Sequence, residues 1–146
     1  MVFQPSRVRI LAVGRLRRSW LADGVAQYHR RLPGLELVEI RDSTPQREGR
    51  EILARLSDGE RLVALSETGR SLDSEAFSRQ LSRWGCDRVA FAIGGADGLI
   101  ESVISRASCC LSLSAMTLPH DLARLVLIEQ IYRARTIAEG GPYHRA

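Results

Sequence analysis

The sequence predicts an α/β fold, a single domain over residues 1–146 built on an open, mostly parallel sheet. Three observations predict it. Five short runs rich in β-branched and apolar residues recur along the chain and alternate with stretches of helical periodicity. The 146 residues, 45% hydrophobic and 26% charged, suit one soluble core, and no linker or internal repeat divides them. No apolar run approaches the roughly 18 residues that span a bilayer. The start, MVFQPSRVRILAVG, reads as a polar lead-in plus a strand rather than a signal peptide, so a cytoplasmic protein with no membrane partner is expected.

The elements follow in order. VRILAV alternates, so Val8 to Val13 is a strand, and Gly14 ends it. SWLADGVAQYHRRL reads as a helix closed by Pro33-Gly34, and LELVEI alternates strictly from Leu35 to Ile40 as a second strand. The polar stretch from Arg41 to Gly49 is the longest loop signal and leads into the helix REILARL. RLVAL at 61–65 is a third strand, Ser71 or Asp73 caps the helix SEAFSRQLSRW, and RVAFAI at 88–93 is a fourth strand. A helix from about Leu99 to Ala107 precedes CCLSLS, a short fifth strand, and the longest helix runs from about Asp121 to Ala138. That helix is apolar at Leu122, Leu125, Val126, Leu127, Ile128, Ile131, Tyr132, Ala134 and Ile137, a wider stripe than one core face needs. Two buried faces are expected, one on the sheet and one on a second subunit; a helix sandwiched within one core is the alternative.

The formal charge is +4 with a pI near 9.5, which favours a polyanionic partner. All 21 basic residues are arginine, a pattern that codon bias explains as readily as selection for phosphate contacts. The absence of lysine excludes a Walker A lysine and any Schiff-base mechanism. Cys86, Cys109 and Cys110 form an odd set without C-x-x-C spacing, so buried thiols are expected and no metal site. Arg15, Arg17 and Arg18 after the first strand are the best candidate phosphate contacts, with Arg30 and Arg31 next.

Ligands of open parallel sheets bind beyond the carboxyl ends of the strands, so the segments there are the candidates. In AIGGADGL, Gly94, Gly95 and Gly98 follow a strand and open a helix, which lets backbone approach a ligand. The order G-G-x-x-G is not the dinucleotide fingerprint, and a tight turn without a ligand remains the plainer reading. In LSLSAMTLPH a strand runs into small and hydroxyl residues before Pro119. The two loops follow strands expected to be neighbours, and together they would wall one pocket for an adenosine-bearing cofactor.

FAIGGADGL, LSLSAMTLPH, LARLVLIEQIYRA and the terminal PYHRA, with AVGRL near the start and LVALSETG in the middle, carry a resemblance over nearly the whole chain. The sequence resembles the SPOUT-class ribosomal RNA methyltransferases that act on ring nitrogen three of a pseudouridine in large-subunit (23S) ribosomal RNA. The resemblance implies a deep C-terminal trefoil knot, a homodimer, S-adenosylmethionine as cofactor, and ribosomal RNA or an assembled ribosome as partner. Carried over by position, the cofactor contacts are Leu65, Gly94, Leu113, Ser114, Ala115, Met116, Thr117 and Leu118. GGADG stands where relatives often have Pro and Glu between the glycines, which leaves open the side-chain contacts of Asp97. The final Ala146 stands where an acidic residue is common.

Methyl transfer to an imide nitrogen needs alignment and the removal of one proton. A guanidinium can stabilise the resulting charge on the flanking carbonyls but cannot accept the proton. Arg133 is therefore expected to stabilise charge, His144 to act as base, and Tyr143 to orient or stack on the substrate, although the proton could also leave to water. His29 and His120 are read as structural. Gly140, Gly141 and Pro142 would let the tail leave the last helix sharply and fold back over a pocket. A dinucleotide-binding oxidoreductase and a non-catalytic RNA-binding dimer are the two rival readings.

Overall fold

The computed structural model describes residues 2–145; Met1 and Ala146 lie outside the described residues. Strands β1 (Val8–Val13), β2 (Glu36–Ile40), β3 (Arg61–Ser71), β4 (Val89–Ile93) and β5 (Cys109–Ser112) form one parallel sheet in the order β2-β1-β4-β3-β5. Each strand is followed by a helix: α1 (Ser19–Arg30), α2 (Pro45–Ala54), α3 (Ser74–Trp84), α4 (Glu101–Arg106) and α5 (His120–Glu139). Period-two alternation sorts the side chains between the two faces. Ile10, Ala12, Val63, Phe91 and Ile93 pack with residues of α1, α3 and α5, whereas Leu11, Val13, Leu62, Ala90 and Ala92 pack with α2 and α4. Both faces are thus covered, as an all-parallel sheet requires.

The structure corrects several sequence expectations. β4 and β5 are not neighbours, because β3 lies between them and pairs with both. The loop read from Arg41 to Gly49 already contains the start of α2 at Pro45. Thr44 caps that helix by accepting the Arg47 N–H at 3.2 Å, and the proline at the first helical position needs no N–H partner. Of the two candidate caps for α3, Asp73 serves, accepting the Ala76 N–H at 2.7 Å. β3 runs on past Leu65 to Ser71, with a register shift: Leu65 and Arg70 both pair with Leu111, so residues 66–69 leave the ladder and return to it. Cys86 is exposed, and Cys109 and Cys110 are half-buried rather than buried.

α5 satisfies its wide apolar stripe within the chain. It packs between α1 and α3, and none of residues 121–138 is exposed. Leu125 lies against α1 at Gly24, where an added Cβ would stand 3.1 Å from its Cδ1. On the other side Ser78 of α3 donates to the Ala134 carbonyl at 2.7 Å. This is the sandwiched alternative, and the stripe by itself no longer requires a second subunit.

One ion pair anchors the amino-terminal edge. Arg9 Nε and Nη2 donate to the two carboxylate oxygens of Glu60 at 2.8 and 2.7 Å, and Glu60 is 6% exposed. Burial pulls the Glu60 carboxyl up, but hydrogen bonds from Arg9 and the Ser57 N–H, with the Arg9 charge, outweigh it and hold the group below the ordinary value. A depressed carboxyl contributes stability above its unfolded value, near 4.3, and loses that contribution as pH falls through the folded value. Glu60→Gln is expected to cost about 2–4 kcal/mol at neutral pH by leaving Arg9 short of a partner. Urea denaturation should therefore find the gap between wild type and variant narrowing below about pH 4; a constant gap across that range would refute the pairing.

Candidate functional site

Beyond the carboxyl ends of β3, β4 and β5 lies a cleft of about 1030 Å³. Three segments wall it: residues 65–68 leaving β3, the turn 93–99 after β4, and the loop 113–120 between β5 and α5. The excursion of β3 supplies the middle wall. Its return depends on Gly69, since a Cβ there would stand 2.7 Å from the backbone of Cys110. The β4 turn depends in the same way on Gly94, where a Cβ would stand 2.6 Å from the Gly98 carbonyl carbon, while Gly98 itself has φ +75°. Side chains brace the third wall: Ser112 Oγ donates to the Ser114 carbonyl at 2.9 Å, and Ser114 Oγ accepts the Met116 N–H at 2.9 Å. Thr117 Oγ1 donates to Glu67, which ties the β3 excursion to this loop.

Of the residues expected to hold a cofactor, Leu65, Gly94, Leu113, Ser114, Met116, Thr117 and Leu118 line the cleft; Ala115 does not. The β3 excursion, Glu67 and Thr68 above all, was missed, because a polar S-E-T-G run reads as the end of a strand. His120, read as structural, also lines the cleft, whereas the His29 ring bonds to the Leu35 carbonyl at 2.7 Å. The charged lining is one-sided: Glu67, Asp97 and Glu101 contribute carboxylates, and none of the 21 arginines is present.

Behind the glycine turn lies Glu48 of α2, 5% exposed, whose carboxylate would be 3.6 Å from a Cβ at Gly95. Burial raises its carboxyl, and the hydrogen bond and charge of Asp42 and the charge of Asp97 add to the rise, partly offset by the Ser43 N–H at 2.9 Å.

The residues expected to do chemistry form a second cluster at the other end of α5. Gly140, at φ 73°, caps the helix, its N–H donating to the Ile137 carbonyl at 3.0 Å while that of Gly141 reaches Thr136 at 2.8 Å. The tail then folds back onto α5 and α1 rather than over the cleft. The Tyr143 ring meets Tyr132 edge-on at 4.8 Å, and its hydroxyl donates to Glu129 at 2.9 Å and lies 3.1 Å from the Tyr28 hydroxyl. Burial raises the Tyr143 phenol, with the hydrogen bonds to Tyr28 and Glu129 acting the same way, so it stays protonated. Arg133 donates from Nε and Nη2 to Glu129 at 3.1 and 2.8 Å, and that bond, against some desolvation, raises it further. Its Nη1 contacts His144 Nδ1 at 3.0 Å. A guanidinium can only donate, so Nδ1 is the acceptor in this contact, and Nε2 lies 3.8 Å from Glu75.

Arg133, Tyr143 and His144 are thus brought together, but none of them lines the cleft. Ala123 of α5 does, and ten residues of helix separate it from Arg133, about 15 Å at the standard rise. Arg15, Arg17 and Arg18 are exposed on the segment after β1, as are Arg30 and Arg31. Arg124 of α5 fixes the root of that segment by donating to the Gly14 carbonyl and to Glu39, each at 2.9 Å. Among the described residues no group of three His, Cys, Asp or Glu side chains is arranged to hold a metal.

Comparison with known proteins places this geometry. Residues 6–144 match the family model described as "Predicted SPOUT methyltransferase". The chain is 54% identical over 145 residues to a protein of Synechococcus sp. (strain RCC307) named ribosomal RNA large subunit methyltransferase H, covering 99% of each. It is 56% identical over 142 residues to the protein of that name from Parasynechococcus marenigrum (strain WH8102), covering 97% of this chain and 99% of the relative. Among solved structures, "a probable methylase family protein" from Haemophilus influenzae superposes with a TM-score of 0.63 at 10% identity, over 97% of this chain and 72% of that one. The SpoU methyltransferase AviRb of Streptomyces viridochromogenes, in complex with AdoMet, gives 0.51 at 17%, over 92% and 58%. At such identities these two structures bear on the fold alone.

Gly94→Ala forces the turn to open, because the new methyl meets Gly98 backbone rather than a movable side chain. With a strain of about 1–3 kcal/mol, affinity for the expected cofactor should fall roughly tenfold. Calorimetry on the folded variant checks this, and unchanged affinity would remove the turn from the binding site.

Proposed function

Since the chain belongs to the SPOUT methyltransferase family, we propose that it uses S-adenosylmethionine to methylate ring nitrogen three of a pseudouridine in large-subunit (23S) ribosomal RNA. The observation that carries the cofactor reading is the cleft at the strand ends, lined by the glycine turn and by the loop after β5 and free of arginine. Its volume suits a nucleoside-sized ligand. A dinucleotide would bring a pyrophosphate to Glu67, Asp97 and Glu101 with no cation to meet it, which disfavours the oxidoreductase reading. The close relatives are named as methyltransferases, which disfavours a non-catalytic RNA-binding dimer. The trefoil knot belongs to the same proposal, and it agrees with α5 leaving edge strand β5 to lie between α1 and α3.

Bound in the cleft, S-adenosylmethionine supplies a methyl group on a cationic sulfur. The chain must align the acceptor nitrogen and remove its proton. Leu65, Gly94, Leu113, Ser114, Met116, Thr117 and Leu118, which line the cleft, would hold the cofactor. Arg133 and Tyr143 are both held protonated, so of the three tail-cluster groups only His144 can serve as base. Its Nδ1 is occupied by Arg133 in the free chain. Substrate carbonyls that carry negative charge would compete for the guanidinium and release that nitrogen, so charge stabilisation and proton removal would occur together. Tyr143, fixed by Tyr28, Tyr132 and Glu129, would orient or stack on the substrate.

The 15 Å or so along α5 between the cleft and Arg133 supports a homodimer in which the tail of one copy meets the cleft of the other. Trp20 and Met116, 57% and 79% exposed, are the large apolar side chains such a contact would cover. Arg15, Arg17 and Arg18 would meet RNA phosphates. Among the described residues no helix is long and apolar enough to cross a membrane, and a ribosomal substrate would support a cytoplasmic location.

Radiolabelled S-adenosylmethionine offered with free ribosomal RNA, large subunits and whole ribosomes should label one pseudouridine; label in none of them would refute the activity. Light scattering should find a dimer at micromolar concentration, and a monomer would reject the shared site. Truncation after Gly141 keeps the helix cap and should leave cofactor affinity nearly intact while greatly reducing methylation. His144→Ala should lower the single-turnover rate on the order of 100-fold. Wild-type rates in both variants would return proton removal to solvent.

A further inference from the structure

In a chain of net charge +4 with 21 arginines, a cleft whose charged lining is Glu67, Asp97 and Glu101 is a marked segregation of sign. Building on the cofactor reading above, we propose that these carboxylates make the cleft charge-selective, holding the cationic cofactor more tightly than the neutral product left after methyl transfer.

The chemistry makes the comparison clean. As the methyl group leaves, the carbon–sulfur electron pair returns to sulfur, a nitrogen lone pair forms the new bond, and the nitrogen's proton passes to the base. S-adenosylmethionine carries a sulfonium, an ammonium and a carboxylate, for a net charge of about +1, while S-adenosylhomocysteine has the same framework and a neutral thioether. Contacts to adenine, ribose and amino acid are common to both and cancel in the ratio of affinities. What remains is the methyl group and the interaction of one charge with the cleft. Glu67 and Asp97 lie on different walls, so the field converges on the interior from two sides. Because both are exposed, solvent screens the effect, and a modest factor is expected. Loss of that charge would loosen the product at the moment it forms.

The test measures dissociation constants of S-adenosylmethionine and S-adenosylhomocysteine for the full chain by calorimetry, at low and at high salt. The variant is Glu67→Gln/Asp97→Asn, in which the amide oxygen introduced at position 67 can still accept from Thr117. Wild type at low salt should prefer the sulfonium by about 3- to 10-fold, and high salt should shrink the ratio. In the variant the ratio should approach one, chiefly through weaker binding of the sulfonium. Equal affinities in the wild type at low salt, or a preference untouched by both salt and neutralisation, would overturn the inference while leaving the cofactor reading intact. Binding of neither ligand would overturn the cofactor reading and this inference with it. The salt series on the wild type decides the question if the variant fails to fold.

Discussion

The burial of one helix governs how this protein can work. α5 is enclosed by the sheet, α1 and α3, with Leu127, Ile128 and Ile131 each at 0% exposure. A helix held this way cannot bend to bring its ends together, and 20 residues make a rod about 30 Å long. Its amino-terminal end, through His120 and Ala123, completes the cleft, and its carboxyl end carries Arg133 and roots the tail. The two halves of the proposed chemistry are therefore kept apart by the same packing that stabilises each. The apolar stripe that first suggested a dimer is satisfied inside the chain, and it is this separation that favours a second copy instead.

Charge is unevenly distributed over the surface. Arginines line the segment after β1, where Arg124 fixes its root at Gly14, and they stand over the tyrosines near the tail, Arg31 at 5.4 Å from the Tyr132 ring and Arg133 at 4.8 Å from Tyr143. Carboxylates collect at the cleft. A polyanionic substrate would be attracted to one region and repelled from the other, while a cationic cofactor would meet the reverse pattern.

Most of the fold was legible in the sequence because alternation, helical period and glycine punctuation agreed along the chain. The strand order was not, since nothing local records that β3 enters between β4 and β5. The β3 excursion was missed for a related reason: Leu65 and Arg70 share one partner, Leu111, and a ladder that leaves and rejoins the same residue has no signature in its own four polar residues. The cleft was legible only as a set of motifs. Gly94, Ser114 and Leu118 contribute backbone and close packing rather than reactive groups, so their residue types advertise little singly, and the resemblance over the whole chain carried the reading. Glu48 illustrates the opposite failure, since a glutamate in a polar stretch gives no hint that folding will bury it beside Asp42 under the glycine turn.

The tail is where local chemistry says most about mechanism. Glu129 accepts from Arg133 and from Tyr143 through the same oxygen, so one carboxylate orients both residues, and Arg133 in turn holds His144. A histidine whose accepting nitrogen is engaged by a guanidinium is not available as a base to solvent. On the proposed reading it becomes available only when another acceptor draws Arg133 away, and an ionising imide presents that acceptor as its proton departs. A neutral ring that cannot place charge on a carbonyl oxygen would leave the pair closed. The arrangement would thus link the readiness of the base to the acidity of the substrate, and it would do so through a hydrogen bond already formed in the isolated chain.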